Sequence, residues 1–108
     1  MKGDRVGEFE ELTLLAVRAL EDAAYAVSVQ EFTEREAGRD VSMGAVYASL
    51  DRLERKGFVH SAFGEATPER GGKRKRFFHV TPLGLQTLRD LRRVREGIWQ
   101  GLERTSRS

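Results

Sequence analysis

Five basic side chains within ten positions are the residues best placed to do chemistry. Arg70, Lys73, Arg74, Lys75 and Arg76 precede His79 with no acid among them, and Gly71 and Gly72 interrupt the run. Such a cluster suits a polyanionic partner. Upstream, Gly44, Ala48, Asp51, Arg52 and Arg55 recur so as to share one helical face, flanked by Ala45 and Tyr47. Small residues let a helix backbone approach base edges, an alanine methyl can touch a thymine methyl, and arginines can reach guanine or phosphate. Other chemistries lack their residues. There are no cysteines, which removes thiol catalysis, thiolate metal sites and disulfides. His60 and His79 face each other if the intervening hairpin is centred near Glu69-Arg70, but two imidazoles without a third ligand make a poor metal site. Nothing resembles a catalytic triad, a paired carboxylate site or a phosphate-binding glycine loop. Neither an enzyme nor a cofactor is expected.

Charge is distributed unevenly. The net value is only +2 over 108 residues, but residues 1–40 are strongly acidic and the remainder is basic. The N-terminus, Met1-Lys2-Gly3-Asp4-Arg5, lacks the apolar stretch of a signal peptide. No window approaches the ~18 apolar residues of a membrane span. A soluble, cytoplasmic protein is expected.

The elements that must position the basic residues can be read in order. Leu12, Leu15, Ala16, Ala19 and Leu20 recur at helical spacing and predict a first helix over about Glu8 to Leu20. Phe9, Leu14 and Val17 lie off that stripe, and a second apolar face suggests a partner subunit. Ser28-Val29-Gln30-Glu31 reads as a capping box opening a second helix that runs to about Ala37, with Val29 and Phe32 inward and Gly38 as its stop. Ser42 is a suitable N-cap for a third helix to about Lys56, ended by Gly57, with Val46, Leu50 and Leu53 inward. Phe58 to Phe63 and Lys75 to Val80 then read as strands joined by a Gly- and Pro-containing loop. Thr81-Pro82 starts a fourth helix. Leu88, Leu91, Ile98 and Leu102 fall at heptad-compatible steps in it, Arg95 fills the remaining seam position, Val94 and Trp99 widen the stripe, and the tail from Arg104 is expected to fray.

Three helices, a hairpin with a basic loop and a final helix make a mostly α, α+β winged helix-turn-helix. Residues 1–81 are expected to bind DNA and residues 82–108 to form a C-terminal dimerisation helix. The third helix would enter the major groove by its N-terminal half, and Ser42 with the helix N-terminus offers N–H groups to a phosphate. The wing would present Arg70, Lys73, Arg74, Lys75 and Arg76, with Gly71 and Gly72 among them, to the backbone or the minor groove.

Several stretches resemble the PadR family of bacterial regulators: Gly7-Glu8-Phe9-Glu10, Asp22-Ala23-Ala24-Tyr25, the run from Asp40 through Ser42-Met43-Gly44-Ala45-Val46-Tyr47 to Gly57, Thr67 to Lys75, and Thr81-Pro82-Leu83-Gly84. The resemblance covers roughly residues 7–92. It implies a homodimeric winged-helix repressor that leaves a pseudo-palindromic operator when a small effector binds. It also implies a DNA-backbone contact from Tyr47 and a dimer made by the last helix. The chain is similar to the short branch of the family, which lacks a long effector-binding C-terminal domain.

Some residues have two readings. Asp51 either accepts from a cytosine amino group or pairs with Arg55 four residues on, and the pair is the simpler. Tyr25 either contacts a phosphate through its hydroxyl or packs, and packing is the simpler reading. Trp99 is read first as sealing the dimer core, for which Phe9, Leu88, Leu91, Val94, Ile98 and Leu102 are the other candidates, and second as stacking on a small aromatic effector. The alternative to a DNA-binding regulator is a winged-helix module that binds protein or RNA.

Overall fold

The computed structural model of the chain describes residues 5–64 and 74–107. Four helices, α1 (Glu8–Leu20), α2 (Ala26–Ala37), α3 (Met43–Arg55) and α4 (Pro82–Arg107), surround one antiparallel hairpin, β1 (Val59–Phe63) and β2 (Arg76–Val80). This is the expected winged helix-turn-helix. Val59 pairs with Val80 and Phe63 with Arg76, which sets His60 opposite His79 with their rings stacked at 5.4 Å. Those two imidazoles are surface strand residues, and His79 contacts Asp22 at 3.2 Å.

The core lies where α1, α2 and α3 converge on the hairpin: Leu14, Val17, Val29, Val46, Leu50, Leu53, Phe58, Val59 and Phe78 are buried there. The α1 face therefore differs from the expected one. Leu14 and Val17, set aside for a partner subunit, form the core, while Leu15 is exposed. Two polar residues disguised the buried face. Thr13 sits in it because its hydroxyl accepts a 2.9 Å hydrogen bond from buried Ser49 and donates to the Phe9 carbonyl. Glu10 sits in it because its carboxylate accepts from Lys56 Nζ at 2.8 Å and from the Gly7 N–H at 2.9 Å, with Arg52 Nε at 3.6 Å.

Helix boundaries follow local chemistry. The α2 helix begins two residues before the expected cap. Ser28 does not open it but lies in its first turn, accepting from the Tyr25 N–H and donating to the Ala23 carbonyl. Ser42 caps α3 as expected, accepting from the Ala45 N–H at 3.1 Å. Gly57 leaves α3 at φ 82°, a conformation suited to glycine. Thr81 caps α4 by accepting from the Gly84 N–H and donates to the Gly57 carbonyl, so the end of α3 and the start of α4 are tied together. A Cβ at Gly84 would lie 2.1 Å from the Phe58 carbonyl oxygen, so α4 reaches the strand only because residue 84 has no side chain.

The helix α4 spans about 39 Å at ~1.5 Å per residue, and it stretches the molecule to 63 × 30 × 21 Å. It stays helical through Arg107, beyond the point where fraying was expected. Among the described residues no helix is long and apolar enough to cross a membrane.

Glu10 gives a stability prediction. Burial pushes its carboxyl up, but the Lys56 hydrogen bond, the Gly7 N–H and the Lys56 and Arg52 charges together hold it below its usual range. A carboxyl depressed on folding contributes stability that is present above the unfolded value near 4.5 and is lost as pH falls through the folded value. Glu10→Gln should cost about 1–2 kcal/mol at neutral pH, leaving Lys56 half-buried without its counter-ion. Thermal melts should show a drop on the order of 5–10 °C that narrows as the pH is taken below the usual carboxylate range. Equal melting of the two proteins at pH 7 would show that the cluster contributes nothing.

Candidate nucleic-acid interface

The candidate interface is the solvent face of α3 together with the adjoining hairpin. Val46, Leu50 and Leu53 turn α3 inward, so Ser42, Gly44, Ala45, Tyr47, Ala48, Arg52 and Arg55 are all exposed on its outer side, Tyr47 at 59%. Beside Tyr47 runs a groove of about 320 Å³ whose walls include Tyr25, Val27, Phe63, Arg74 and Lys75. The fold thus brings Tyr47 of the third helix and the described part of the wing to one groove. Arg70, Gly71, Gly72 and Lys73 lie outside the described residues.

The cations of this face differ in what they touch. Arg55 pairs with Asp51 at 3.7 Å, the simpler of the two readings of Asp51. Arg52 leans toward Glu10 on α1 and so is drawn to the side of the helix rather than straight outward. Arg76 is bound to Glu54 of α3 and donates to Ser61 of β1 at 2.9 Å, while Ser61 donates to Glu54 at 2.6 Å. That network ties helix to both strands, so Arg76 works as a strut between them. Arg74 and Lys75 have no carboxylate partner among the described residues. The Arg74 guanidinium lies 5.4 Å from the Phe63 ring centre, and Lys75 Nζ lies 3.9 Å from that of Tyr25. Tyr25 also packs edge-on against Phe77 at 5.7 Å, as expected of a packing residue.

Sequence reasoning missed Phe63, which is 60% exposed at the end of β1. Its signal was its place as the last apolar residue before the wing. It also missed Val27 and the Glu54–Ser61–Arg76 network, whose members are separated by up to 22 positions.

A second set of candidate residues lies on α4. Leu88 is buried in the chain's own core, and Arg95 pairs with Glu11 of α1 at 2.6 Å. Beyond them Val94, Ile98, Trp99 and Leu102 are all more than half exposed on the protruding half of the helix, with Leu91 intermediate. Phe9 does not join them. It packs against the chain's own core beneath Arg39 and beside Ser42 and Ala45, on the far side of α1 from α4. Leu15, across α1, faces α4, and with Leu85, Leu88 and Trp99 it lines a cleft of about 470 Å³. Among the described residues no group of three or more histidine, aspartate or glutamate side chains converges as a metal site would require.

Comparison with known proteins bears on the whole arrangement. A family model described as the transcriptional regulator PadR-like family matches residues 14–90. No curated protein matches the chain. Among solved structures, the chain is similar to a PadR-like transcriptional regulator from Bacillus cereus, at 16% identity and a TM-score of 0.72, covering 93% of this chain and 92% of that one. It is similar to a PadR-like transcription factor from Bacteroides fragilis at 25% identity and a TM-score of 0.67, covering 90% and 84%. A third neighbour, Bacillus subtilis PadR in complex with operator DNA, has 17% identity and a TM-score of 0.64 over 78% of this chain and 46% of that one.

Proposed function

The chain belongs to the transcriptional regulator PadR-like family, and from that membership we propose that it is a homodimeric, cytoplasmic repressor that binds a pseudo-palindromic operator through α3 and the wing. The observation that carries this reading is the shared face. Gly44, Ala45 and Ala48 are small and exposed on α3, and Tyr47 of the same helix lines a groove with two wing cations that no described carboxylate neutralises. The small residues let the helix backbone enter a major groove, Arg52 and Arg55 flank the entry, and Ser42 with the α3 N-terminus and the Tyr47 hydroxyl suit phosphates. Arg70, Gly71, Gly72, Lys73, Arg74 and Lys75 then follow the adjoining backbone. The structure of a neighbour solved with operator DNA supports the same use of the fold.

The dimer is formed by Leu91, Val94, Ile98, Trp99 and Leu102 of α4. Four large apolar side chains in a row on a protruding helix favour a partner that covers them. A two-fold dimer reads a two-fold site with half-sites about 34 Å, one helical turn, apart or a multiple of it. Covering an operator blocks polymerase, which favours repression. A small aromatic effector enters the cleft beside Trp99, the single tryptophan, and shifts the two α3 helices of the dimer out of register with the half-sites. Titrating planar aromatic compounds against Trp99 fluorescence should find one that quenches it and releases DNA, and a broad panel without effect would remove the effector from the scheme.

The direct test of the DNA reading compares binding to duplex DNA and to structured RNA by fluorescence anisotropy over about 50 to 200 mM salt. Binding to duplex with a steep salt dependence is expected. Preference for RNA, or no nucleic-acid binding at either salt, would replace this reading with an interaction module.

A further inference from the structure

The three described cations of the wing are held in two different ways, and the difference bears on what they can do. Arg76 is fixed by the Glu54 carboxylate and the Ser61 hydroxyl, so its charge is already answered inside the chain. Arg76 also lies 5.0 Å from the Phe78 ring centre, whereas Arg74 and Lys75 are held by rings with no carboxylate beside them among the described residues, Phe63 under the first and Tyr25 under the second. A ring face attracts a cation through its quadrupole but does not neutralise it. The ammonium and guanidinium N–H groups turned away from the ring stay available as donors.

The rings are themselves fixed. Tyr25 abuts Phe77 edge to face, and it precedes α2, whose first turn its backbone N–H joins through Ser28. Phe63 ends β1 in register with Arg76, and the next backbone pair, Gly64 N–H to the Lys75 carbonyl at 2.8 Å, fixes the main chain from which Lys75 projects. Both ring–cation pairs line the groove that also contains exposed Tyr47 of α3.

We infer that Tyr25 and Phe63 are positioning residues for DNA binding: their ring faces hold the Lys75 ammonium and the Arg74 guanidinium at the groove between α3 and the wing, with both charges left for phosphate. The inference rests on the DNA-binding reading above. Free lysine and arginine side chains lose rotamer freedom when they dock on a phosphate. A ring that confines them beforehand removes part of that cost, whereas a carboxylate would have to be displaced.

The test uses the full chain and a labelled random-sequence duplex, since phosphate contacts need no operator. Lys75→Ala should weaken binding and lower the salt slope by about one. Tyr25→Leu and Phe63→Leu should each weaken binding by about two- to fivefold, with the slope unchanged because no charge is removed. Tyr25→Phe, which keeps the ring, should bind as the wild type does. In a Lys75→Ala background, Tyr25→Leu should have no further effect, which a merely structural role would not produce. Tyr25→Leu also loosens the contact with Phe77, so melting curves accompany it. Phe63 is largely exposed, so Phe63→Leu keeps the inference testable if Tyr25→Leu unfolds. Wild-type affinity in both leucine variants, tighter binding in either, or an undiminished Tyr25→Leu loss without Lys75 would overturn the inference while leaving the DNA reading intact. Failure of the wild type to bind any duplex would overturn the DNA reading itself.

Discussion

Ala48→Glu is expected to abolish operator binding, by at least about 100-fold, or about 3 kcal/mol, while the protein melts as the wild type does. Ala48 is exposed at the middle of the α3 outer face, between Gly44 and Arg52. A glutamate there adds four heavy atoms, three of them a carboxylate, where a base edge or phosphate must come. Like charges brought together across an interface cost several kcal/mol. The fold has no reason to suffer. Glutamate is a good helix former, it meets no packed neighbour on this face, and Arg52 stands four residues on as a favourable helical partner. The contrast between binding and melting is therefore the informative readout, measured by anisotropy on a selected operator and by circular dichroism. Near-normal operator affinity in Ala48→Glu would show that the outer face of α3 does not enter the groove.

The second large effect concerns the protruding half of α4. Ile98→Glu combined with Leu102→Glu should convert the proposed dimer to a folded monomer, read by sedimentation. Both side chains are more than half exposed within one chain, so the change does not touch the subunit core. In a dimer the same positions from two subunits would face a shared seam, and four carboxylates there could not be desolvated together. Loss of the second half-site removes the effective-concentration gain of linked binding, so affinity for a full operator should fall by about 10² to 10⁴. Affinity for an isolated half-site should barely change. A dimer that survives the double replacement would move the interface away from α4.

The α3–wing unit was legible in the sequence because each of its boundaries has a local cause. Ser42 caps the helix through its own hydroxyl, Gly57 ends it at a positive φ, and Thr81 caps the next helix. The apolar spacing of Val46, Leu50 and Leu53 then fixes which side faces out. What stayed hidden depends on partners distant in sequence. The buried face of α1 looked polar because Thr13 is satisfied by Ser49, 36 positions away, and Glu10 by Lys56, 46 positions away. Similarly, Arg52 and Arg76 read as free cations until Glu10 and Glu54 are seen beside them. Phe9 looked like a second apolar face, yet its ring packs against the chain's own core with the Arg39 guanidinium over it. The candidate wing residues Arg70, Gly71, Gly72 and Lys73 lie outside the described residues, so only Arg74 and Lys75 of that set have a place in the geometry.

The scheme turns on sequence-specific recognition by a two-fold dimer, and one measurement addresses it directly. Random genomic duplexes would be selected on the wild-type protein through several rounds at low and at near-physiological salt, and the enriched pool assayed by anisotropy. The expected result is a two-fold symmetric motif whose binding survives the higher salt. Sequence-blind binding that vanishes at the higher salt would contradict it, reducing the wing and α3 to a basic patch.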